Sequence, residues 1–232
     1  CWNNNGPELF PHVILMNDGN NSFITHNFLP AEDLPFLHSL GLIDADLDGD
    51  LDLLAIQEEN NDQFMLYLNN GLNDEGAPNF ELAYTFFRPD GDISASRILA
   101  ISDYDGDGDQ DVYVGRKYGY NWFFENQTLT GDPGDVTYHS SPNPFFIEKA
   151  IAVGIADPDV NEIGSMGYGA AWGDYDNDND FDLYLANWGV NRLYINEDQN
   201  FMNVADVQSI ESEELSNGVS WGDYNNDGLL DL

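Results

Sequence analysis

Trp172-Gly173-Asp174-Tyr175-Asp176-Asn177-Asp178-Asn179-Asp180-Phe181-Asp182-Leu183-Tyr184-Leu185-Ala186-Asn187 joins an alternating strand, an acidic loop and an apolar run in sixteen residues. The loop at its centre recurs. Asp44-Ala45-Asp46-Leu47-Asp48-Gly49-Asp50-Leu51-Asp52 and Asp103-Tyr104-Asp105-Gly106-Asp107-Gly108-Asp109-Gln110-Asp111 precede it, and Asp223-Tyr224-Asn225-Asn226-Asp227-Gly228-Leu229-Leu230-Asp231 follows. Carboxylates at alternate positions of a tight loop repel one another at neutral pH unless a cation sits between them. The pattern offers oxygen donors only, which suits a hard ion and disfavours zinc or copper. Ca²⁺ accepts six to eight oxygens in a flexible shell, whereas Mg²⁺ demands a strict octahedron.

The expected ligands follow from position. Positions 1, 3 and 5 point inward: Asp44, Asp46 and Asp48; Asp103, Asp105 and Asp107; Asp174, Asp176 and Asp178; Asp223, Asn225 and Asp227. Position 6 needs a positive φ, which Gly takes freely and Asn179 tolerates. Position 7 offers its backbone carbonyl, so Leu229 serves where Asp50, Asp109 and Asp180 stand elsewhere. Position 9 supplies the closing carboxylate: Asp52, Asp111, Asp182 and Asp231. Up to four Ca²⁺ ions are expected, with the fourth loop weakest because Asn225 replaces an acid. An EF-hand opens alike but needs an acid at position 12; Ala55, Val114 and Leu185 stand there. The residues after each loop also read as strand, not helix.

Aligning the loops exposes a longer repeat. Before each loop lie Leu40 and Leu42, Leu99 and Ile101, Ala170 and Trp172, Val219 and Trp221, two residues apart and so on one face, which is expected to be buried. After it come Leu53 to Ile56, Val112 to Val114 and Leu183 to Ala186, then third strands ending in Asn69, Asn126 and Asn196. A fourth strand follows in Asn79 to Leu82 and Asn200 to Val204. Loop starts are 59, 71 and 49 residues apart, the longest gap holding a Pro/Gly-rich insertion within 127–165. Four strands per roughly fifty residues is the period of a propeller blade. No amphipathic helix is expected; Ser209 to Leu215 is at most one turn.

The expected fold is therefore all-β: a β-propeller of four-stranded blades with Ca-binding loops, read as one region over 1–232. Residues 1–35 form the back half of a blade, 36–94, 95–165 and 166–214 whole blades, and 215–232 the front half of another. Such a chain is either part of a larger propeller or a four-bladed ring closed by its two half-blades.

Forty-three acids against six bases give a net charge of −37, and eighteen of the acids lie in the loops. That charge makes nucleic acid and anionic membranes poor partners, and no segment predicts membrane insertion. Hydrophobic residues at 42% and aromatics at 13% argue against disorder. The single cysteine, Cys1, leaves no internal disulfide. Millimolar calcium outside cells fills weak sites, so an exported protein is expected, extracellular or at the cell surface, and absence of disulfides points to a bacterial source.

These residues resemble the FG-GAP/VCBS repeat family, the type found in integrin α-subunit propellers. The likeness is nearest to the bacterial and cartilage-acidic-protein branch, whose repeats read like Trp172 to Asp178, Asp182 to Asn187 and Asn191 to Asn196. The phenylalanine-glycine and glycine-alanine-proline signatures are degenerate here. The resemblance covers nearly the whole chain outside 127–165. It implies a propeller with calcium between adjacent strands, and extracellular binding or adhesion with a protein or glycan ligand.

No catalysis is expected. His12, His26, His38 and His139 fall in no recurring motif position, Glu58 and Glu59 are two acids among 43, and no Gly-x-Ser-x-Gly occurs. The alternative readings are a glycan-binding lectin, with Trp122 or Trp188 together with Tyr118 and Tyr120 stacking on sugar, or a non-catalytic part of a polysaccharide-acting enzyme. Asn20-Asn21-Ser22 and Asn126-Gln127-Thr128 have the form of glycosylation sequons.

Overall fold

The computed structural model describes residues 12–29, 37–57, 63–74, 76–87, 95–117, 119–130, 137–138, 145–157, 166–208, 210 and 216–232. Its strands are β1 (His12–Asn17), β2 (Phe23–Leu29), β3 (Leu37–Ile43), β4 (Asp52–Gln57), β5 (Gln63–Leu72), β6 (Pro78–Phe87), β7 (Ser96–Ser102) and β8 (Asp111–Arg116). There follow β9 (Trp122–Asn126), β10 (Leu129–Thr130), β11 (Thr137–Tyr138), β12 (Phe146–Glu148), β13 (Met166–Gly173), β14 (Asp182–Trp188), β15 (Arg192–Glu197) and β16 (Asn200–Asn203). One helical turn, α1 (Ala150–Val153), lies between β12 and β13.

Three sheets have four antiparallel strands each, in the orders β3-β4-β5-β6, β12-β9-β8-β7 and β13-β14-β15-β16. They lie within 36–94, 95–165 and 166–214, each meandering strand by strand, and are called blades below. The fourth strand of the second blade, β12, was not assigned from sequence. It is only three residues long and lies beyond the insertion, which itself forms the small β10–β11 hairpin. The half-blade at 12–29 is the β1–β2 hairpin. In the other, Gly222 and Asp231 form an isolated bridge. Among the described residues no pairing joins these two segments.

The second strands are buried on both faces, which explains their unbroken apolar runs. Leu54, Ile56, Phe64 and Leu66 of the first blade pack on Val112, Val114, Phe124 and Phe146 of the second. Phe64 stacks on Phe124 with centroids 4.3 Å apart. The opposite face of the second blade, through Ala100, Tyr113 and Phe123, meets Leu183, Leu185 and Tyr194 of the third. Tyr184, Ala186 and Leu193 then meet Val219 and Trp221. The second and third blades are thus sandwiched by their neighbours, and the alternation along a strand distributes side chains between two interfaces.

The first strands of successive blades come close. A Cβ on Gly169 would lie 3.0 Å from the Gly218 Cα, and one on Gly173 would lie 2.7 Å from the Trp221 ring. Trp221 lies against this bare backbone and donates its Nε1–H to the Ala171 carbonyl at 3.1 Å.

One expectation is corrected. Leu99 and Ile101, Ala170 and Trp172, and Val219 and Trp221 all pack against the preceding blade. Leu40 and Leu42 do not: they are 48% and 56% exposed. Their face is the one that meets the preceding unit, and here that unit is the β1–β2 hairpin, which lies beside β6. Ser209 and 211–215 fall outside the described residues, as do Cys1, Glu58, Glu59, Tyr118 and His139.

Candidate metal centre

The first three acidic loops each link the first and second strands of a blade, the fourth is closed by the Gly222–Asp231 bridge, and all four copies share one backbone path. Position 6 is left-handed at Gly49 (φ 94°), Gly108 (101°), Asn179 (81°) and Gly228 (87°). Position 4 is left-handed too, at Leu47 (58°), Gly106 (71°), Asn177 (63°) and Asn226 (61°), a requirement the sequence reading missed. Its signal was the Gly or Asn present in three of four copies. Leucine pays steric strain in this region, of order 1 kcal/mol. Leu47→Asn is expected to stabilise the protein by about 0.5–1 kcal/mol, raising the melting temperature by about 2 °C. A lowered melting temperature would show that Leu47 contributes more by packing than it costs by strain.

The doubled left-handed turn aims backbone N–H groups inward. The position 6 N–H donates to the position 1 carboxylate in every copy, at 3.4, 3.2, 3.2 and 2.9 Å. The position 7 N–H donates to position 5 at 2.9, 3.0, 3.2 and 2.9 Å. These bonds hold the carboxylates of positions 1 and 5 on the inside of the curl.

Asp44, Asp46 and Asp48 then converge, as do Asp103, Asp105 and Asp107, each group offering oxygens within 4.8 Å of one another. In the third loop the converging set is Asp174, Asp176 and Asp182. Such spacing is about twice a Ca–O bond of 2.3–2.6 Å, so one ion can reach all three oxygens. Oδ1 of Asp103, Asp109 and Asp180 is buried without a hydrogen-bond partner. A buried carboxylate oxygen left so is costly, and a cation satisfies it. No Lys, Arg or His lies within any loop to play that part. The donor set therefore fits a hard divalent cation. In the fourth loop Asp223, Asn225, Asp227, Leu229 and Asp231 keep the same backbone bonds but form no such three-acid group.

Position 7 varies. Asp50 is exposed, whereas Asp109 is fully buried and accepts the Leu129 N–H at 2.7 Å, which ties the second loop to the insertion. Asp180 shares a hydrogen bond with Asp178. That bond lowers the Asp178 carboxyl, while burial and the Asp178 charge push Asp180 up to about 7.

Position 9 has a second task. Asp52, Asp111 and Asp182 are buried at 1%, 1% and 0% exposure. In each, one oxygen accepts the position 2 N–H (Ala45, Tyr104, Tyr175) at 2.8, 3.2 and 2.7 Å. The other accepts the N–H of the asparagine at or near the end of the third strand (Asn69, Asn126, Asn196) at 2.8, 2.9 and 2.9 Å. Asn126 Nδ2 then donates to the Ala45 carbonyl of the preceding loop at 3.2 Å, and Asn196 Nδ2 to the Tyr104 carbonyl at 3.0 Å. A belt of hydrogen bonds thus runs from loop to loop across the blades: Asp52, Ala45, Asn126, Asp111, Tyr104, Asn196, Asp182. It gives a reason for the recurrent asparagine that the sequence left unexplained. It also buries the Asn126 sequon: Asn126 is 1% and Thr128 7% exposed.

The electrostatics match a site built for positive charge. Burial first, and neighbouring acids in addition, push Asp105 up to about 6 and Asp109 to about 7. Burial is the main cause at position 9 also, raising Asp52 and Asp182 to about 6 and Asp111 to about 9 against the pull of their N–H donors.

Three four-stranded antiparallel sheets, each with an acidic loop between its first two strands, define an all-β, propeller-like repeat protein. Residues 174–232 match the FG-GAP-like repeat family model, which bears out the resemblance seen in the sequence. No curated protein matches the chain. Among the described residues no helix is long and apolar enough to cross a membrane.

Proposed function

We propose that the chain is a calcium-braced β-propeller region of an exported protein, and that it serves as a binding or adhesion module for an extracellular protein or glycan. The observation that carries this is the convergence of Asp44/Asp46/Asp48, Asp103/Asp105/Asp107 and Asp174/Asp176/Asp182 in equivalent loops of three successive blades. The ions are structural: each neutralises a carboxylate cluster that the belt locks to the neighbouring blade. The extracellular setting follows from the loops' partial exposure and oxygen-only donors, which suit millimolar calcium. In this reading the chain binds rather than catalyses, and its negative field turns away nucleic acid.

Calorimetric titration of chelator-treated protein with CaCl₂ at neutral pH tests the reading. Three sites are expected to fill before a weaker fourth, and Asp46→Ala, Asp105→Ala and Asp176→Ala each to remove one. Absence of calcium binding sinks the proposal, and a fourth loop that binds most tightly contradicts the ranking.

A second reading, a glycan-binding propeller, loses one expected contact and keeps another. Trp122 is buried at 5% exposure in the first blade interface, with the Arg116 guanidinium 4.0 Å from its ring centroid. Trp188 is half-buried and stacks on Tyr168, with centroids 4.7 Å apart.

A further inference from the structure

The first strand of each blade carries one extra residue at the same place. β3 pairs Leu37 with Gln57 and Ser39 with Ile56, so His38 has no opposite number. β7 skips Arg97 in the same way, and β13 skips Tyr168. Each of the three stands six residues before the first Asp of its loop, and so does Asn217 in the last repeat. A bulge re-aims the side chain it carries out of the ladder, and bulges recur where a fold presents a side chain for use.

The residue types differ from those of scaffold positions. Three residues before the loop stand Gly41, Ala100, Ala171 and Ser220, all small, as close blade packing requires. Six before it stand an imidazole, a guanidinium, a phenol and a carboxamide: four flat, hydrogen-bonding groups that differ in size and charge. They meet in an unbroken row. Arg97 Nη1 donates to His38 Nε2 at 2.7 Å, and His38 Nδ1 lies 3.2 Å from the Arg97 carbonyl, which places the His38 proton on Nδ1. The Arg97 guanidinium lies 5.7 Å from the Tyr168 ring centroid. Tyr168 stacks on Trp188, whose Nε1–H donates to Asn217 Oδ1 at 2.7 Å. The row sits at the strand ends remote from the acidic loops. Its outer members, His38 and Asn217, are exposed, and the three between them half-buried.

We propose that this row is a binding site for a neutral oligosaccharide. A pyranose offers a flat face of C–H bonds and a rim of hydroxyls. The first fits the solvent-facing part of the Tyr168–Trp188 stack, and the second fits the exposed Asn217 amide beside it, since both His38 ring nitrogens are already engaged by Arg97. The chain's net charge of −37 works against polyanionic sugars. The positive charge of Arg97 is already shared with His38 and the Tyr168 ring. The inference rests on the binding-module reading and uses none of the calcium ligands, so calcium titration and sugar binding fail separately.

The test is saturation-transfer NMR and calorimetry of the chain in millimolar calcium against cello-, xylo-, laminari- and chito-oligosaccharides. At least one is expected to bind. Tyr168→Ala and Trp188→Ala should each weaken it by about tenfold or more. Trp188→Phe, which retains a ring but not the bond to Asn217, should cost about threefold. Tyr120→Ala, an exposed aromatic off the row, should change nothing. Lack of binding by all four series overturns the proposal. So does preferential binding of a polyuronate or a basic peptide. Unchanged affinity in the variants, with a lowered melting temperature, would mark the row as a strap between blades and overturn it equally.

Discussion

Asp111→Ala is expected to lower the melting temperature of the calcium-loaded protein by about 10 °C, more than loss of any exposed loop carboxylate. Asp111 is the most enclosed of the belt residues in electrostatic terms: its carboxyl is pushed to about 9, chiefly by burial. Its two oxygens hold the Tyr104 and Asn126 N–H groups at 3.2 and 2.9 Å. Alanine leaves both donors unsatisfied, at about 1–3 kcal/mol each. It also frees Asn126, whose side chain is the tie to the first loop at Ala45. Asp111→Asn keeps one acceptor and sets an amide donor against the other N–H, so it too should destabilise. Asp50→Ala, at an exposed position 7, should stay within about 1 °C of the parent. If Asp111→Ala melts with the parent, position 9 does not hold the blades together.

Calcium is expected to reverse the sign of the pH dependence of stability. Without the ion, Asp52, Asp105 and Asp182 titrate near 6, Asp109 near 7 and Asp111 near 9, all above the ordinary 3.8. Between about pH 4 and those values the folded chain holds protons that the unfolded chain has released. Stability therefore falls as pH rises from about 5 to 8, as burial opposes ionisation. With calcium present the order inverts: deprotonated carboxylates bind the ion, protons compete with it, and stability rises over the same interval. Chelator-treated protein should melt higher at pH 5 than at pH 8 by several degrees, and calcium-loaded protein lower. Slopes of the same sign in both conditions would mean that these carboxylates do not share a cation.

The blade pattern was readable because structure repeats its demands. Asp at alternate positions, Gly or Asn at position 6 and the double-sided apolar run at Leu183 to Ala186 each follow from local geometry. What escaped reading depended on neighbours distant in sequence. Asn126 reaches Ala45 across 81 residues, and no local rule assigns that bond. Leu40 and Leu42 fit the strand pattern as well as Leu99 and Ile101 do; only the packing of the preceding unit distinguishes them. β12 is too short, and too far past the insertion, for periodicity to mark it. At the sites, positions 1, 3 and 5 were legible as a group in the first two loops. In the third loop the converging acids are Asp174, Asp176 and Asp182, a choice among equal carboxylates that spacing does not make. Trp122 and Trp188 looked alike as candidate sugar contacts, and burial separated them.

Thermal unfolding in millimolar calcium, compared with the same protein in excess chelator at neutral pH, tests the central claim most directly. A site with free calcium at a thousand times its dissociation constant contributes about 4 kcal/mol. Three such loops are expected to raise the melting temperature by more than about 10 °C, with magnesium giving a much smaller shift. An identical melting temperature in calcium and in chelator would contradict the account.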